Sequence, residues 1–172
     1  MFGLFKPKMA PEGPVEITGV VHIERPPAEV YALIDWADER NAKRATGNLV
    51  TQIEGNPTRF DMVMPMMDDL TFEMIVTEAE PHRKYAFGCV IRPGCGNMAH
   101  NHECYEFEDD GKGGCNVILR TETTFVEGLR MREFTCEVSN VAASIQSALQ
   151  KLKLQAEHGA EFAKAIERNT LL

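Results

Sequence analysis

The period of the apolar residues changes once along the chain, near Gly128, and this change constrains the fold more than any other feature. Before Gly128, short runs alternate apolar with polar residues and are separated by turns rich in Gly, Pro, Asn and Asp, which is typical of an antiparallel meander. After it, apolar residues recur every three or four positions: Met131, Phe134, Val138, Val141, Ile145, Leu149 and Leu152. That spacing predicts one apolar stripe along a helix of roughly 25 residues.

The segments before Gly128 predict one strand, two short helices and about six further strands. Period-two alternation spans 15–23, a helix starting at Pro27 reaches residue 38, and a more polar helical stretch ends at Ala45. The expected fold class is α+β, with a curved antiparallel sheet of about seven strands wrapped on a long C-terminal helix. Because such a sheet curls while the helix is straight, we expect a cavity between them.

The same pattern predicts how the chain is divided. We expect an irregular N-terminal tail over 1–14, a single folded domain over 15–158 and a short helical tail over 159–172. The tail over 1–14 contains several prolines, and Gly159 interrupts the helical spacing, which accounts for both boundaries.

Charge and composition narrow the class of partner. Lys and Arg number 18 against 26 Asp and Glu, a net charge of −8, and no basic patch stands out, so we expect no nucleic acid partner. No apolar run has the length of a secretory or membrane-spanning segment, so we expect no integral membrane segment. Five cysteines, an odd number, indicate reduced thiols and a cytoplasmic protein. We expect no cofactor, since no phosphate-binding glycine loop occurs, and a monomer or homodimer.

The first helical segment resembles that of a known superfamily. Residues 23–35, which read Ile-Glu-Arg-Pro-Pro-Ala-Glu-Val-Tyr-Ala-Leu-Ile-Asp, resemble the first-helix signature of the START-like (SRPBCC) superfamily, and residues 149–153 before Glu157 resemble its last helix. That superfamily includes polyketide cyclase/dehydrase-like proteins, lipid-transfer START domains and plant pathogenesis-related allergens. The resemblance implies a helix-grip fold around a mostly apolar pocket for a small hydrophobic ligand. Residues 37–44, which are polar in this chain, imply a more polar pocket mouth.

A cluster of methionines marks one candidate wall of this pocket. Met62, Met64 and Met74 share a face with Phe60 and Phe72 by alternation, and methionine adapts to variable apolar shapes. Core packing and a ligand-binding wall remain alternatives for this cluster. The residues that we expect to bind the ligand lie on this face, on the neighbouring strands and on the long helix: Phe60, Met62, Met64, Phe72, Met74, Phe87, Asn101, Tyr105, Phe134, Val138, Val141 and Arg92.

Glu103 is the candidate catalytic residue. If Tyr105 and Phe107 face inward, Asn101 and Glu103 do so too, because alternate residues of a strand share a face. A carboxyl group that lines an apolar pocket has a raised pKa and can act as a general acid or base near neutral pH. The alternative is a solvated carboxylate at the rim. Arg92, beside a strand-ending proline, either meets an acidic group of the ligand at the mouth or is a solvated loop residue.

His100, His102 and Cys104 follow one another at every second position, so a strand would place them on one face, where a His-x-His pair can chelate a metal. The same face would hold Glu106 and Glu108, which indicates the solvent side. We therefore expect surface histidines and no metal.

Three functions fit these patterns. The first is a carrier or sensor that binds a small hydrophobic molecule, such as a lipid, a polyketide or an aromatic compound. The second is an enzyme of the polyketide cyclase, aromatase or dehydratase type with Glu103 as acid or base. The third is a protein-interaction module, similar to chaperone activators of the superfamily, in which Phe2, Leu4 and Phe5 and the segment 161–172 make the contacts.

Overall fold

The computed structural model of the chain describes residues 8–170, with side chains described up to Ile166. The predicted contact tip of Phe2, Leu4 and Phe5 lies outside the described residues. In chain order the elements are β1 (Val15–Ile23), α1 (Pro27–Ile34), α2 (Ala42–Ala45), β2 (Leu49–Gln52), β3 (Arg59–Met64), β4 (Met67–Glu80), β5 (Lys84–Arg92), β6 (Met98–Asp109), β7 (Cys115–Phe125), α3 (Met131–His158) and α4 (Ala160–Thr170).

The seven strands form one curved antiparallel sheet, as the alternation predicts. Their order is β1-β7-β6-β5-β4-β3-β2, so β2 to β7 make a meander and β1 completes it by pairing with β7. Directly paired residues face the same side of a sheet, so the register identifies the concave face. Val21 and Ile23 pair with Val117 and Cys115 on that face, and all four are buried. The expected fold class is confirmed.

α3 packs against the concave side of the sheet, and its most extensive contact with a strand is with β1. Its contact is close because β1 has Gly19 there: a Cβ atom at this position would lie 2.7 Å from Leu149 Cδ1 and 2.8 Å from Ile145 Cγ2. Any larger residue would have to displace these two side chains or the helix that carries them. Ile145, Leu149 and Leu152 are buried in the core that results.

The chain leaves α3 at Gly159, where the sequence predicts a break. Gly159 has φ 88°, a left-handed conformation that glycine adopts without steric cost. α4 follows and packs on α3 with Ala163 buried, while Phe162 stays exposed. Among the described helices, none has both the length and the apolar character to cross a membrane.

The helices between β1 and β2 are shorter than the sequence predicts. α1 ends at Ile34 instead of residue 38, because the carboxylates of Asp35 and Asp38 accept hydrogen bonds from backbone N–H groups two residues further on. These local turns replace the helical hydrogen bonds. α2 is a single turn, and the Asn41 side chain caps its start by accepting from backbone N–H groups. The segment between the helices is therefore a turn-rich loop that lies over the sheet.

Candidate functional site

The space between the sheet and α3 is closed unevenly. In the C-terminal half of the helix the inward residues are buried, whereas in the N-terminal half Phe134, Val138 and Val141 are only partly buried. Several inward-facing residues of β3 to β7 are also only partly buried. We call these side chains the concave patch: Met64, Phe72, Cys89, Ile91, Asn101, Glu103, Phe125, Phe134, Val138 and Val141. They face the concave side and are not fully buried.

A hydrogen-bonded chain of polar side chains crosses the concave patch. Thr123 Oγ1 donates to Asn101 Oδ1 over 2.8 Å, and Asn101 Nδ2 donates to Glu103 Oε1 over 3.1 Å. Tyr105 donates its hydroxyl hydrogen to the other carboxylate oxygen, Glu103 Oε2, over 3.0 Å. Each oxygen of Glu103 thus accepts one hydrogen bond, and we call this set the Glu103 network. The inward orientation of Asn101, Glu103 and Tyr105 is the one that the alternation predicts.

Burial shifts the protonation of this network. It raises the pKa of Glu103, an effect that the hydrogen bond from Tyr105 and the positive charge of Lys43 in part oppose. Burial and the neighbouring carboxyl also raise the pKa of Tyr105 well above its usual range, and burial raises the pKa of the Cys89 thiol to about 12. A carboxyl group with a raised pKa can keep its proton closer to neutral pH than an exposed glutamate. Glu103 can therefore donate a hydrogen bond to a bound molecule or exchange a proton with it.

Trp36 covers the sheet next to this network. The Tyr85 hydroxyl accepts a hydrogen bond from the Trp36 backbone N–H over 3.0 Å, and Arg44 Nη2 donates to the Trp36 carbonyl over 3.0 Å. The indole packs edge-to-face on Phe87, with ring centroids 5.4 Å apart, and Phe87 pairs directly with Glu103 across the strands. The indole Nε1 is buried and has no hydrogen-bond partner among the described residues.

The predicted ligand-binding residues fall into two groups. Phe60, Met62, Met74, Phe87 and Tyr105 face the concave side but belong to the fully buried core. The partly buried group contains Met64, Phe72, Asn101, Phe134, Val138 and Val141. The methionine cluster is accordingly divided, with two members in the core and one in the concave patch.

Arg92, the remaining predicted ligand-binding residue, belongs to neither group. Its guanidinium lies on the convex face, where Nη1 is 2.9 Å from Glu73 Oε2 and Nη2 is 3.1 Å from Asp61 Oδ1. Arg59 pairs with the same Glu73. The expected placement at the pocket mouth is therefore wrong: in β5 the inward positions are those of Phe87, Cys89 and Ile91, so Arg92 points to the other side.

The histidine motif also lies on the convex face. His102 Nε2 is 2.9 Å from Thr77 Oγ1, and Cys104 pairs with Arg120 on β7. Among the described residues, no group of three His, Cys, Asp or Glu side chains has an arrangement that could hold a metal ion. An open surface depression beside His102, Cys104 and Arg120 lies on this outer side, away from Glu103, and a second one lies near His82 at the start of α1.

Known structures share this architecture. Zhui aromatase/cyclase from Streptomyces sp. R1128 aligns with 84% of this chain and 97% of its own, at 11% identity and a TM-score of 0.58. Ara h 8.0201 aligns with 83% of this chain and 99% of its own, at 10% identity and a TM-score of 0.59. The di-domain ARO/CYC BexL, from the BE-7585A biosynthetic pathway, aligns with 90% of this chain and 50% of its own, at 18% identity and a TM-score of 0.57.

The chain has the START-like helix-grip fold. The identities are low, so the likeness concerns the fold. No family model matches the sequence, and no curated protein matches it either.

Within this helix-grip fold, five residues of the site were not predicted from the sequence: Cys89, Ile91, Thr123, Phe125 and Lys43. Cys89, Ile91, Thr123 and Phe125 occupy inward positions of their strands, and strand alternation alone would have found all four. Lys43 is exposed on α2 and acts on Glu103 through its charge. Its proximity depends on how the loop before α2 lies over the sheet, for which the sequence holds no local signal.

Proposed function

We propose that this protein binds a small, largely apolar molecule, such as a lipid, a polyketide or an aromatic compound, in the space bordered by the concave patch, as a carrier or sensor. The observation that carries this proposal is the set of partly buried apolar side chains that face α3 from the sheet. A stable core would bury such side chains completely, since each Leu-sized or Phe-sized side chain gains roughly 1.5–3 kcal/mol by full burial.

The composition of the concave patch supports a ligand of this class. Ligand sites are lined mainly by apolar and aromatic side chains and contain a few polar groups that fix orientation. Here Phe72, Phe125, Phe134 and Val138 provide the apolar surface. The Glu103 network provides a carboxyl group that is already held in place by two hydrogen bonds.

A second function, a polyketide cyclase, aromatase or dehydratase activity, is favoured by Glu103. Its raised pKa suits a general acid or base, with Asn101 and Tyr105 holding the carboxyl group in position. Zhui, which is an aromatase/cyclase, has the same fold, and this likeness is the reason for testing this class of reaction. The two functions share one site and differ in whether Glu103 moves a proton.

Binding is tested with a fluorescent apolar probe, N-phenylnaphthylamine, and a pair of variants on α3. Val138→Trp fills the space beside the concave patch, whereas Asn140→Trp adds the same side chain at an exposed position two residues away. We expect the wild type and Asn140→Trp to enhance the probe's fluorescence equally, and Val138→Trp to bind it at least about 10-fold more weakly. Equal binding by both variants, or no binding by the wild type, would contradict the proposal.

Catalysis is tested with Glu103→Gln on a conjugated poly-keto substrate. If Glu103 transfers a proton, the variant loses turnover but binds the substrate with nearly unchanged affinity, because the amide keeps the size and most of the hydrogen bonding of the carboxyl group. Turnover at the wild-type rate by the variant would exclude Glu103 as acid or base and leave the carrier function.

A further inference from the structure

Glu103 is the one acidic or basic side chain of the concave patch, and it contacts only uncharged groups. Asn101 Nδ2 and the Tyr105 hydroxyl donate to its two oxygens over 3.1 Å and 3.0 Å. In the part of the chain that the structure describes, no lysine, arginine or histidine nitrogen forms an ion pair with it. A poorly solvated charge is normally paired, because its removal from water is otherwise unfavourable.

The carboxylates on the convex face of the same sheet differ from Glu103 in this respect. Glu73, which is 3% exposed, lies between the guanidinium groups of Arg59 and Arg92. The partly buried carboxylates of that face also have a cationic partner each: Glu78 pairs with Lys84, Glu106 with Arg120 and Asp61 with Arg92. The chain thus supplies cations to the carboxylates of the outer face and none to the carboxyl group of the inner face.

The surroundings of Glu103 favour a positively charged ligand group. Phe87 pairs directly with Glu103, and Phe72, Phe125 and Phe134 face the same side of the sheet. The faces of aromatic rings attract cations, and the net charge of −8 adds a long-range attraction. An ionised carboxyl group only accepts hydrogen bonds, so the matching group is a charged N–H donor.

Two basic residues of α2 have to be weighed against this conclusion. The Arg44 guanidinium is engaged elsewhere, since it donates to the carbonyl oxygens of Val50 and Trp36. Lys43 is exposed, and its charge offsets only part of the effect of burial on the pKa of Glu103. Lys43 also defines the opposite expectation, a site for anions, which the experiment below distinguishes.

We propose that the ligand is a hydrophobic amine, whose protonated nitrogen donates a hydrogen bond to the Glu103 carboxylate while its apolar body lies against the concave patch. This proposal rests on the proposed binding function and specifies the class of ligand. It assigns to Glu103 the selection of a cation over neutral and anionic molecules of the same shape.

The test compares three compounds with one ring system and different charges: naphthylmethylamine, which is cationic at neutral pH, naphthylmethanol, which is neutral, and naphthoate, which is anionic. Isothermal titration calorimetry gives their affinities. We expect the wild type to bind the amine at least about 10-fold more tightly than the alcohol, since a hydrogen bond between charged groups is stronger than one to a neutral hydroxyl. Naphthoate should bind most weakly.

Three variants assign this preference to one side chain. Glu103→Gln removes the charge at nearly constant size, so it should bind the amine no more tightly than the alcohol. Glu122→Gln removes the same charge from an exposed position on the convex face and should keep the preference. Lys43→Gln should keep or increase it. Circular dichroism and urea unfolding establish that the variants are folded.

The outcomes separate the amine proposal from the binding function. Equal affinities of the wild type for amine and alcohol, or an unchanged preference in Glu103→Gln, would refute the amine proposal while ligand binding stands. Tightest binding of naphthoate, lost in Lys43→Gln, would also refute it and identify an anion site. If none of the three compounds binds but N-phenylnaphthylamine does, the amine proposal alone fails. If N-phenylnaphthylamine does not bind either, the binding function itself fails.

Discussion

The close approach of α3 to β1 predicts that two alanine substitutions of strand glycines have opposite effects. At Gly19 a Cβ atom would be 2.7 Å from Leu149 Cδ1 and 2.8 Å from Ile145 Cγ2. At Gly88, on β5, the nearest atom would be His100 Cε1 at 3.5 Å, an ordinary contact. Neither glycine has a positive φ, so alanine is tolerated by the backbone at both positions.

The comparison isolates the cost of pushing the helix away. In a strand interior, alanine makes the folded protein about 0.5–1 kcal/mol more stable than glycine does, because glycine loses more conformational freedom on folding. This gain applies to both variants. To reach 3.4 Å, the two side chains above Gly19 must retreat by about 0.6–0.7 Å, and such overpacking costs roughly 1–3 kcal/mol. Gly88→Ala should therefore be slightly more stable than the wild type, and Gly19→Ala less stable than Gly88→Ala by about 1–3 kcal/mol.

Urea unfolding measures this difference, with the fluorescence of the buried Trp36 as the signal. The same comparison by thermal unfolding should show Gly19→Ala melting several degrees below Gly88→Ala. Equal stabilities for the two variants, within about 0.5 kcal/mol, would show that α3 does not press on β1 at Gly19.

Three further predictions concern single side chains. Glu103→Gln should stabilise the protein at neutral pH. The pKa of Glu103 is raised in the folded state, so its ionised form destabilises the fold above the unfolded-state pKa of about 4.3. In urea unfolding, the gain in the free energy of unfolding should vanish below that pH. Tyr85→Phe should lower the free energy of unfolding by about 1–3 kcal/mol, since the buried backbone N–H of Trp36 loses its acceptor. The hydrogen bond with His22 is the main cause that lowers the pKa of Asp110 to about 2. In His22→Ala, an NMR titration should show a higher pKa for Asp110. The contribution of Asp110 to stability is present above about pH 4 and is lost as the pH falls towards 2.

The period-two pattern was sufficient to predict the orientation of the Glu103 network. Tyr105 and Phe107 fix the phase of β6, and every inward residue of that strand follows from them. The same rule applied to β5 gives the outward direction of Arg92, because Phe87 faces inward. The prediction for Arg92 relied on its place beside Pro93 at the strand end and did not apply the alternation, although Arg92 is still a residue of β5.

Contacts between distant segments account for what the sequence could not predict. The length of α1 depends on Asp35 and Asp38 and on the bond between Trp36 and Tyr85, which is 49 residues further along the chain. The burial of Glu73 depends on arginines from two neighbouring strands. Neither set of contacts has a signature in local propensity or in periodicity, so both become visible only when the strand register is known.

The central claim, that a small apolar molecule enters the space bordered by the concave patch, is tested most directly by the methyl NMR signals of the methionines. Met64 belongs to the concave patch, whereas Met66 and Met9 are 86% and 50% exposed and serve as internal controls. On addition of N-phenylnaphthylamine, the account predicts a ring-current shift of the Met64 methyl signal that saturates with the binding curve, with Met66 and Met9 unchanged. A shift of Met66 or Met9 while Met64 stays constant would place the probe on the outer surface and contradict the account.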